Sequence, residues 1–446
     1  MPTTNRRIVK TMLTATLLLL TGGWCHAQST TDAPTAPDAP PPCERSIEDL
    51  NLQGSDVVMP PFSDTVLGVD SDYRRALLSK GVALRNNSQG EFAENVLRPP
   101  VPAAQQVYVG EHPYGNAMTH LILTMDLRQL HLEHAQLHIS GVENWVSWNP
   151  AGPKTLQLWT LYFYKMFGKD RVELKAGYNA NDLEFVGMQV GGSTATGVQG
   201  VYAVLPYEVG MSYFPLTSPL FNLRIRGPKN AYLKTSAQRS LDPEGGPATV
   251  ARNRTGFRFV PNGDKLLLID EIGYRRAPSA VANAAWFRAG YMRNSTLYTN
   301  YANGQKEPGN YCAYALMDYQ LRRPDPGNPS RGLYLGGSAM TVPSKFNAYN
   351  RYYEARLYQE APFRSRPGDV LSFVASHTGH SNYLTDSLVT QGKTVWRSAT
   401  SSTVSYTVRV AQGNYLSLGL SYIYGPAITP RVPDTLTFAG IYSVYF

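Results

Sequence analysis

The chain has 446 residues, of which 43% are hydrophobic, 11% aromatic and only 17% charged, and its formal net charge is +8. Soluble domains usually carry about 25% charged residues, yet the mean hydropathy of this chain is only −0.28. Its single long apolar run lies at the N-terminus, which excludes a helical membrane protein, because each spanning helix needs about 20 apolar residues. The 29 tyrosines, 15 phenylalanines and 6 tryptophans exclude a disordered chain.

The N-terminus has the three parts of a secretory signal peptide. Residues 1–10 contain three basic side chains, residues 12–20 are apolar, and a small-residue cleavage signal ends at Ala27. Residues 1–27 are therefore predicted to be a signal peptide. Their removal takes away three positive charges and lowers the net charge from +8 to +5. A lipoprotein with lipid on Cys25 is the alternative.

Two segments precede the main body of the protein. Residues 28–42 are rich in proline, which predicts a disordered, extended leader. Residues 43–80 have no clear period and are predicted to be a periplasmic N-terminal segment, in which Asp72–Lys80 is expected to form a short helix closed by a glycine. Cys43 and Cys312 remain after signal removal, and their spacing is equally compatible with a disulfide and with two free thiols.

From residue 81 to the end, apolar and polar side chains alternate over about ten residues at a time, between loops rich in Gly, Pro, Asn and Asp. In Thr403–Val410, for example, valines and a tyrosine share one face, and Ser, Thr and Arg share the other. This period of two predicts half-buried strands. Sixteen such segments lie near residues 82–97, 117–127, 134–148, 156–167, 171–180, 218–227, 229–240, 264–275, 284–294, 309–322, 332–343, 349–362, 369–379, 401–412, 415–425 and 435–446.

An even number of strands and no covering helices predict an all-β protein: a transmembrane antiparallel β-barrel of sixteen strands over residues 81–446, with a short N-terminal helix before it. A soluble sandwich is the alternative, but one of this size usually splits into domains. Tyrosines lie near the strand ends, as in the aromatic girdles of membrane barrels. Charged strand faces are expected inside, because Arg or Lys facing lipid costs about 2–4 kcal/mol at the midplane.

The last strand carries the most specific signal. Phe438, Tyr442, Val444 and Phe446 lie on one face of it, and the chain ends on that final aromatic residue. This pattern looks like the outer-membrane insertion signal of bacterial barrels. It predicts that the C-terminal strand binds the barrel-assembly machinery.

Several motifs, taken in chain order, resemble those of a known family. They are Asp72–Gly81, Met125–Leu130, Ala135–Gly141, Thr155–Phe167, Val172–Tyr178, Arg224–Arg226, Glu271–Tyr274, Gly309–Leu321, Arg366–Asp369 and Tyr424–Pro426. Their order resembles the carbohydrate-selective porins of Gram-negative outer membranes (OprB type), over residues 70–446. The chain departs from that family in residues 186–212, which lack a cysteine, and at Gln157 and Thr160, where family strands tend to be charged.

The resemblance implies an outer-membrane porin for passive, carbohydrate-selective diffusion of mono- or oligosaccharides through a polar, Arg/Glu-lined pore. Interleaved Arg and Glu supply hydrogen-bond donors and acceptors while cancelling much of the net field. A general or anion-preferring diffusion porin and a non-transporting outer-membrane adhesion or assembly barrel are the alternatives. Strand parity and the resemblance together give the candidate pore-lining residues Arg171, Glu173, Lys175, Arg224, Arg226, Glu271, Arg288, Asp318, Glu354, Arg356 and Arg409. Among them, Arg224, Arg226 and Glu271 are the candidates for the constriction.

Other partners and chemistries find little support. His134 and His138 lie two pleats apart on a predicted strand, about 13 Å, which is too far to share a metal ion. Ser376–His377 and His380–Ser381 lack an orienting acid, so no enzyme, catalytic residue or cofactor is predicted. The expected partners are sugars, outer-membrane lipid and the assembly machinery, with no nucleic acid, and a monomer and a homo-oligomer both fit. Long loops are expected outside, with short turns, leader and helix in the periplasm.

Overall fold

The computed structural model describes residues 46–149, 154–187, 204–261 and 263–446. The predicted signal peptide, the leader and Cys43 lie outside these ranges. The main strands are β1 Val82–Asn95, β2 Tyr114–Asp126, β3 Ala135–Val146, β4 Thr155–Phe167, β5 Val172–Asn179, β6 Ser218–Arg226, β7 Ala231–Arg239, β8 Leu266–Arg276, β9 Ala285–Asn294, β10 Asn310–Arg322, β11 Gly332–Thr341, β12 Tyr349–Glu360, β13 Val370–His380, β14 Ser398–Ala411, β15 Asn414–Tyr424 and β16 Asp434–Tyr445. A two-residue hairpin, Tyr298–Thr299 with Lys306–Glu307, lies between β9 and β10.

These strands close into a barrel. Each strand pairs antiparallel with its neighbours in the chain, and β16 pairs back with β1, where Gly90 stands opposite Tyr442. The predicted sixteen-stranded antiparallel barrel is confirmed, and every strand begins and ends within three residues of its predicted bounds. Within the described ranges, none of the helices has the length and apolar character needed to cross a membrane.

Alternation divides each strand between two environments. On β13, Leu371 and Phe373 point outward and are exposed, whereas Ser372 and Val374 point inward and are buried. The outward side chains of β15 and β16 are mostly leucines and aromatic residues. An apolar outer face and a polar inner face are what a barrel in lipid requires, because hydrocarbon cannot solvate polar groups.

The two ends of the barrel differ in their connections. Residues 168–171, 227–230 and 412–413 are short turns at one end, where the chain also ends at Phe446. At the other end the connections are longer, and the longest, residues 180–217 between β5 and β6, is hereafter the β5–β6 loop.

The described helices are short and lie outside the barrel sheet. The α-helices are α1 Asp72–Leu78, α2 Leu205–Glu208, α3 Gly246–Arg252 and α4 Asn382–Thr390, and the 3₁₀ turns are Ile47–Leu50, Phe62–Asp64, Ala103–Gln105, Arg128–Leu130, Asn181–Leu183 and Pro228–Asn230. Helix α1 is the predicted N-terminal helix. It begins after Ser71, whose hydroxyl accepts a hydrogen bond from the backbone N–H of Arg74, and Gly81 at φ 68° follows its end.

Two stretches of chain fill part of the barrel interior. The described parts of the β5–β6 loop, residues 180–187 and 204–217, pack on the inner faces of β8 to β12 through a buried apolar cluster. The loop and the strands contribute to it Phe185, Val186, Leu205, Val209, Met211, Leu267, Ile269, Met292, Cys312, Tyr314, Leu316, Met340, Val342 and Tyr352. Residues 46–71, hereafter the N-terminal segment, contact inward side chains of other strands, among them Arg85, Trp159 and Arg224, so this stretch also occupies part of the lumen.

Candidate functional site

The N-terminal segment meets the β5–β6 loop inside the barrel. The backbone N–H groups of Asp56 and Val57 both donate to the carbonyl oxygen of Leu183, at 2.8 and 3.1 Å. Met59 packs in an apolar cluster with inward side chains of β2 to β4, among them Trp159. Nothing in the sequence predicted that part of segment 43–80 enters the barrel, because it has no period and no motif. The place around Asp56 where the two inserted stretches meet inside the barrel is hereafter the narrowing.

Asp56 is surrounded by three basic side chains from the barrel wall. Its carboxylate oxygens lie 2.7 Å from the Arg224 guanidinium, 2.7 Å from Nζ of Lys234 and 2.9 Å from the Arg275 guanidinium. These four residues are hereafter the Asp56 cluster. Burial raises the pKa of Asp56, but the three positive charges lower it by more, so its pKa lies below the usual 3.8 and the carboxylate is charged.

Glu271 joins this cluster to a group of aromatic side chains. Its carboxylate lies 2.7 Å from Nζ of Lys234 and accepts hydrogen bonds from the hydroxyls of Tyr232, at 3.0 Å, and Tyr314, at 2.8 Å. The indole N–H of Trp286 donates to the Tyr232 hydroxyl at 2.9 Å. Each oxygen of this buried carboxylate therefore has a partner, which fixes its position.

The remaining predicted residues of β5 to β9 extend the same network. Glu173 pairs with Arg224 at 3.6 Å and also with Arg226, which is half-exposed. Lys175 pairs with Glu184 of the β5–β6 loop at 2.9 Å and donates to the carbonyl oxygen of Gly54 in the N-terminal segment. These contacts tie both inserted stretches to the wall.

Arg288 holds the β5–β6 loop from the other side. Its guanidinium donates to the carbonyl oxygens of Val186 and Gly187, at 2.9 and 3.0 Å, and lies 3.7 Å from the ring centroid of Trp286. One of its nitrogens is buried without a hydrogen-bond partner. A cation over an indole face stabilises both groups when water is excluded.

A second group of predicted residues lies on β10 to β12. The Arg356 guanidinium bonds Asp318 at 3.1 Å and Ser338 at 2.8 Å, and it also pairs with Glu354. The Tyr358 hydroxyl donates to Asp318 at 3.3 Å. These five residues are hereafter the Arg356 cluster, and Asp318 remains partly exposed to the lumen.

Two predicted residues lie apart from both clusters. Arg409 of β14 bonds Asp64 of the N-terminal segment at 2.8 Å, and Tyr415 donates to the same carboxylate. Arg171 lies in the turn before β5 and is exposed. Its backbone accepts a hydrogen bond from the backbone N–H of Arg226.

Hydroxyl groups cover the inner face of β13 to β15. Ser372 bonds Ser405 across the strands at 2.8 Å, and three similar hydroxyl pairs continue the pattern at 2.8 to 2.9 Å. The members of this hydroxyl wall are Ser372, Ser376, Ser401, Thr403, Ser405, Thr407, Ser417 and Ser421. The barrel interior thus has a charged, aromatic side and a side that is mainly uncharged and polar, with the Arg409–Asp64 pair at one end.

Sequence reasoning missed several partners of the predicted residues. Lys234 and Arg275 are on inward positions and could have been found by strand parity, as could Tyr232 and Trp286. Asp56 carried no such signal. The network around the narrowing holds six basic side chains and four acidic ones: Lys175, Arg224, Arg226, Lys234, Arg275 and Arg288 against Asp56, Glu173, Glu184 and Glu271.

Such an arrangement provides fixed donors, fixed acceptors and ring faces while most of the charge cancels. Directional hydrogen bonding at close quarters selects polar uncharged solutes better than a field of one sign does.

Comparisons with known proteins agree with the barrel fold. The fold matches the structure described as the high pH structure of Pseudomonas putida OprB, with a TM-score of 0.70 and 14% identity over 87% of this chain and 100% of that chain. The low pH structure of the same protein matches with a TM-score of 0.53, 14% identity, and coverage of 86% and 100%. No curated protein matches the sequence. The model of the carbohydrate-selective porin, OprB family, matches residues 78–441, so the chain belongs to that family of outer-membrane channels.

Proposed function

We propose that this barrel lets mono- and oligosaccharides diffuse passively across the outer membrane of a Gram-negative bacterium. The observation that carries the proposal is the narrowing itself, where paired charges of both signs lie beside aromatic rings. A sugar needs donors and acceptors for its hydroxyls and a flat apolar surface for its ring faces. The narrowing offers all three in one place.

Arg226 and Arg275 are the donors best placed to meet a solute. Both side chains are partly exposed, 47% and 42%, whereas the other charged groups near them are buried by their partners. The Arg275 guanidinium lies over the Trp286 ring, with 4.4 Å between its central carbon and the ring centroid, and Trp286 is itself partly exposed. We therefore assign first contact with the sugar to these three side chains, with the hydroxyl wall as a weaker, uncharged set of partners opposite.

The outer surface supports the same proposal for the membrane partners. Phe438, Tyr442 and Phe446 point outward at β16 and are exposed, and Val444 shares their face. An exposed aromatic row on the closing strand fits recognition by the assembly machinery before closure. The longer connections would face the exterior, and the short turns, the leader and helix α1 would face the periplasm.

An anion-preferring porin is the second candidate, because basic side chains outnumber acidic ones around the narrowing. Liposome swelling with neutral sugars of increasing size and with charged solutes of equal size separates the two. We expect glucose to enter faster than its size predicts. Entry in strict order of size would favour a general porin, and faster entry of anions would favour the second candidate. The absence of any swelling would contradict a channel function.

Arginine replacements test the assignment of the narrowing. Arg224→Ala and Arg226→Ala each remove a donor beside Glu173, so we expect the glucose advantage to fall several-fold in the swelling assay and cation entry to rise. Arg293→Ala is the matched control, because this arginine points outward on β9 and is exposed. Unchanged sugar selectivity in both inward variants would contradict the assignment.

A further inference from the structure

The N-terminal segment is held in the barrel by contacts that do not involve the Asp56 carboxylate. Arg85 donates to the carbonyl oxygen of Pro60 at 2.6 Å, and the Tyr162 hydroxyl donates to that of Gln53 at 3.2 Å. Arg409 bonds Asp64 at 2.8 Å. The segment therefore has anchors on β1, β4 and β14, on both sides of Asp56.

The position of Asp56 is also set by its own backbone. Its N–H and that of Val57 share the Leu183 carbonyl oxygen, and the Ser55 hydroxyl donates to the same atom at 3.1 Å. The carboxylate is thereby placed among cationic groups contributed by β6, β7 and β8. Its side chain is 3% exposed.

We propose that Asp56 is a specificity-determining residue of the pore: a counter-ion built into the chain that suppresses the passage of anions. The proposal rests on the proposed function of the barrel as a sugar pore. Asp56 occupies the place among three basic side chains that the carboxylate or phosphate of an acidic solute would otherwise take. A neutral sugar does not compete for that position among the basic side chains, whereas an anion finds the position already occupied by the Asp56 carboxylate.

The charge balance gives the direction of the effect. With Asp56 charged, four acidic groups oppose six basic ones around the narrowing. When Asp56 is replaced by a neutral residue, three acidic groups remain against the same six basic ones. Lys234 keeps Glu271 as a partner, but Arg275 loses the only ion pair described for it. Uncompensated charge in a narrow, partly dehydrated passage attracts anions more strongly than the same charge in bulk water does.

Asp56→Asn is the test, because the amide keeps the shape of the side chain and loses the charge. The purified full-length variant is placed in planar lipid bilayers under a potassium chloride gradient, and the reversal potential gives the ratio of chloride to potassium permeability. We expect this ratio to rise about twofold or more over that of the unchanged protein. Asp49→Asn is the matched control, since Asp49 lies in the same segment but is exposed and away from the cluster.

A second variant covers the case in which Asp56→Asn does not assemble. Arg275→Gln removes the partly exposed cation of the cluster and leaves Asp56 paired with Arg224 and Lys234, so the ratio should move the opposite way. Asp56→Asn with Arg275→Gln should return it towards the original value.

The outcomes separate this proposal from the proposed function. A folded Asp56→Asn porin with the permeability ratio of the Asp49→Asn control would overturn the role of Asp56, whatever the sugar flux. If Asp56→Asn does not assemble, an unmoved ratio in Arg275→Gln would overturn it. A raised ratio of chloride to potassium permeability supports the role of Asp56. If glucose then entered no faster than its size predicts, only the proposed sugar function would be contradicted.

Discussion

At the scale of single residues, three inward glycines let side chains of neighbouring strands lie flat against the barrel wall. A Cβ on Gly273 would lie 2.3 Å from the ring of Tyr232, and one on Gly290 would lie 2.3 Å from the ring of Tyr314. Gly336 makes the same room beneath the Arg356 cluster. The requirement here is close approach, because any side chain at these positions would push the residue above it into the lumen.

Gly273→Ala is predicted to narrow the pore. The added methyl group displaces the Tyr232 ring, which breaks its hydrogen bonds to Glu271 and Trp286 and turns the ring into the lumen. Single-channel conductance in planar bilayers should fall. Gly90→Ala is the control, because a Cβ there would meet no atom within 4 Å. Equal conductance in the two variants would contradict this account of the glycine.

Which side chains face the lumen could be predicted where a strand carries them. Glu173 and Arg224 alternate with apolar neighbours, and period two places them together on the polar face of their strands, which is the inner face of the barrel. Their partners could not be predicted, since those come from distant parts of the chain. Asp56 lies 168 positions from Arg224 and 219 from Arg275, in a segment with no pattern of its own.

At the scale of elements, strands and loops differ in how much local pattern they carry. The strands follow from a repeat that lipid and lumen impose on every residue. The sequence distinguishes the β5–β6 loop only by the absence of a cysteine from residues 186–212. Its inward packing cannot be predicted, because it depends on contacts of Leu205, Val209 and Met211 with apolar positions on strands far along the chain. Those inward apolar positions on β8 to β11 are exceptions to the alternation of a water-filled barrel.

The β5–β6 loop contains two buried acids that predict a pH dependence. Burial raises the pKa of Asp182 to about 7 and that of Glu208 to about 8, although both accept backbone hydrogen bonds. In the unfolded chain these groups lose their protons near 3.8 and 4.5. At pH values between the unfolded and the folded pKa of each group, unfolding therefore releases protons. The stabilisation of the folded state by the two neutral acids is complete below pH 3.8 and is lost as the pH rises through about 7 and 8.

The midpoint of thermal unfolding in detergent, followed from about pH 5 to pH 9, should therefore fall with rising pH. Glu208→Gln should flatten the upper part of this dependence, because the amide cannot ionise. Its backbone partners, the N–H groups of Ala348 and Tyr349, bond different carboxyl oxygens, so the amide keeps an oxygen acceptor for one of them. A slope unchanged by the substitution would show that Glu208 does not titrate in this range.

At the scale of the whole molecule, the outer surface carries an acid on β8 where hydrocarbon is expected. Asp270 points outward near the middle of β8, is exposed, and accepts a hydrogen bond from Thr235 at 2.8 Å. The next outward residue, Ile272, is 63% exposed. A carboxylate at this depth costs free energy, though less than an arginine or lysine does.

Asp270→Leu is predicted to raise the free energy of unfolding by about 1 kcal/mol in lipid vesicles, measured by denaturant titration. Asp386→Leu is the control and should give no gain, because this aspartate lies on α4, outside the barrel sheet. A loss of stability in Asp270→Leu would contradict this account and show that the hydrogen bond from Thr235 contributes more than exposure of the carboxylate to lipid costs.

The N-terminal segment also constrains the order in which the protein can fold. Asp64 bonds Arg409 and Tyr415, which follow it by 345 and 351 positions, whereas Asp56 bonds strands from the middle of the chain. The first described residues therefore reach their final places only after nearly all of the polypeptide has been synthesised and exported. Contacts of such long sequence separation form late. The N-terminal segment can therefore occupy its place only in a completed barrel, and in an incomplete barrel the basic side chains of β6 to β8 lack the Asp56 carboxylate as their partner.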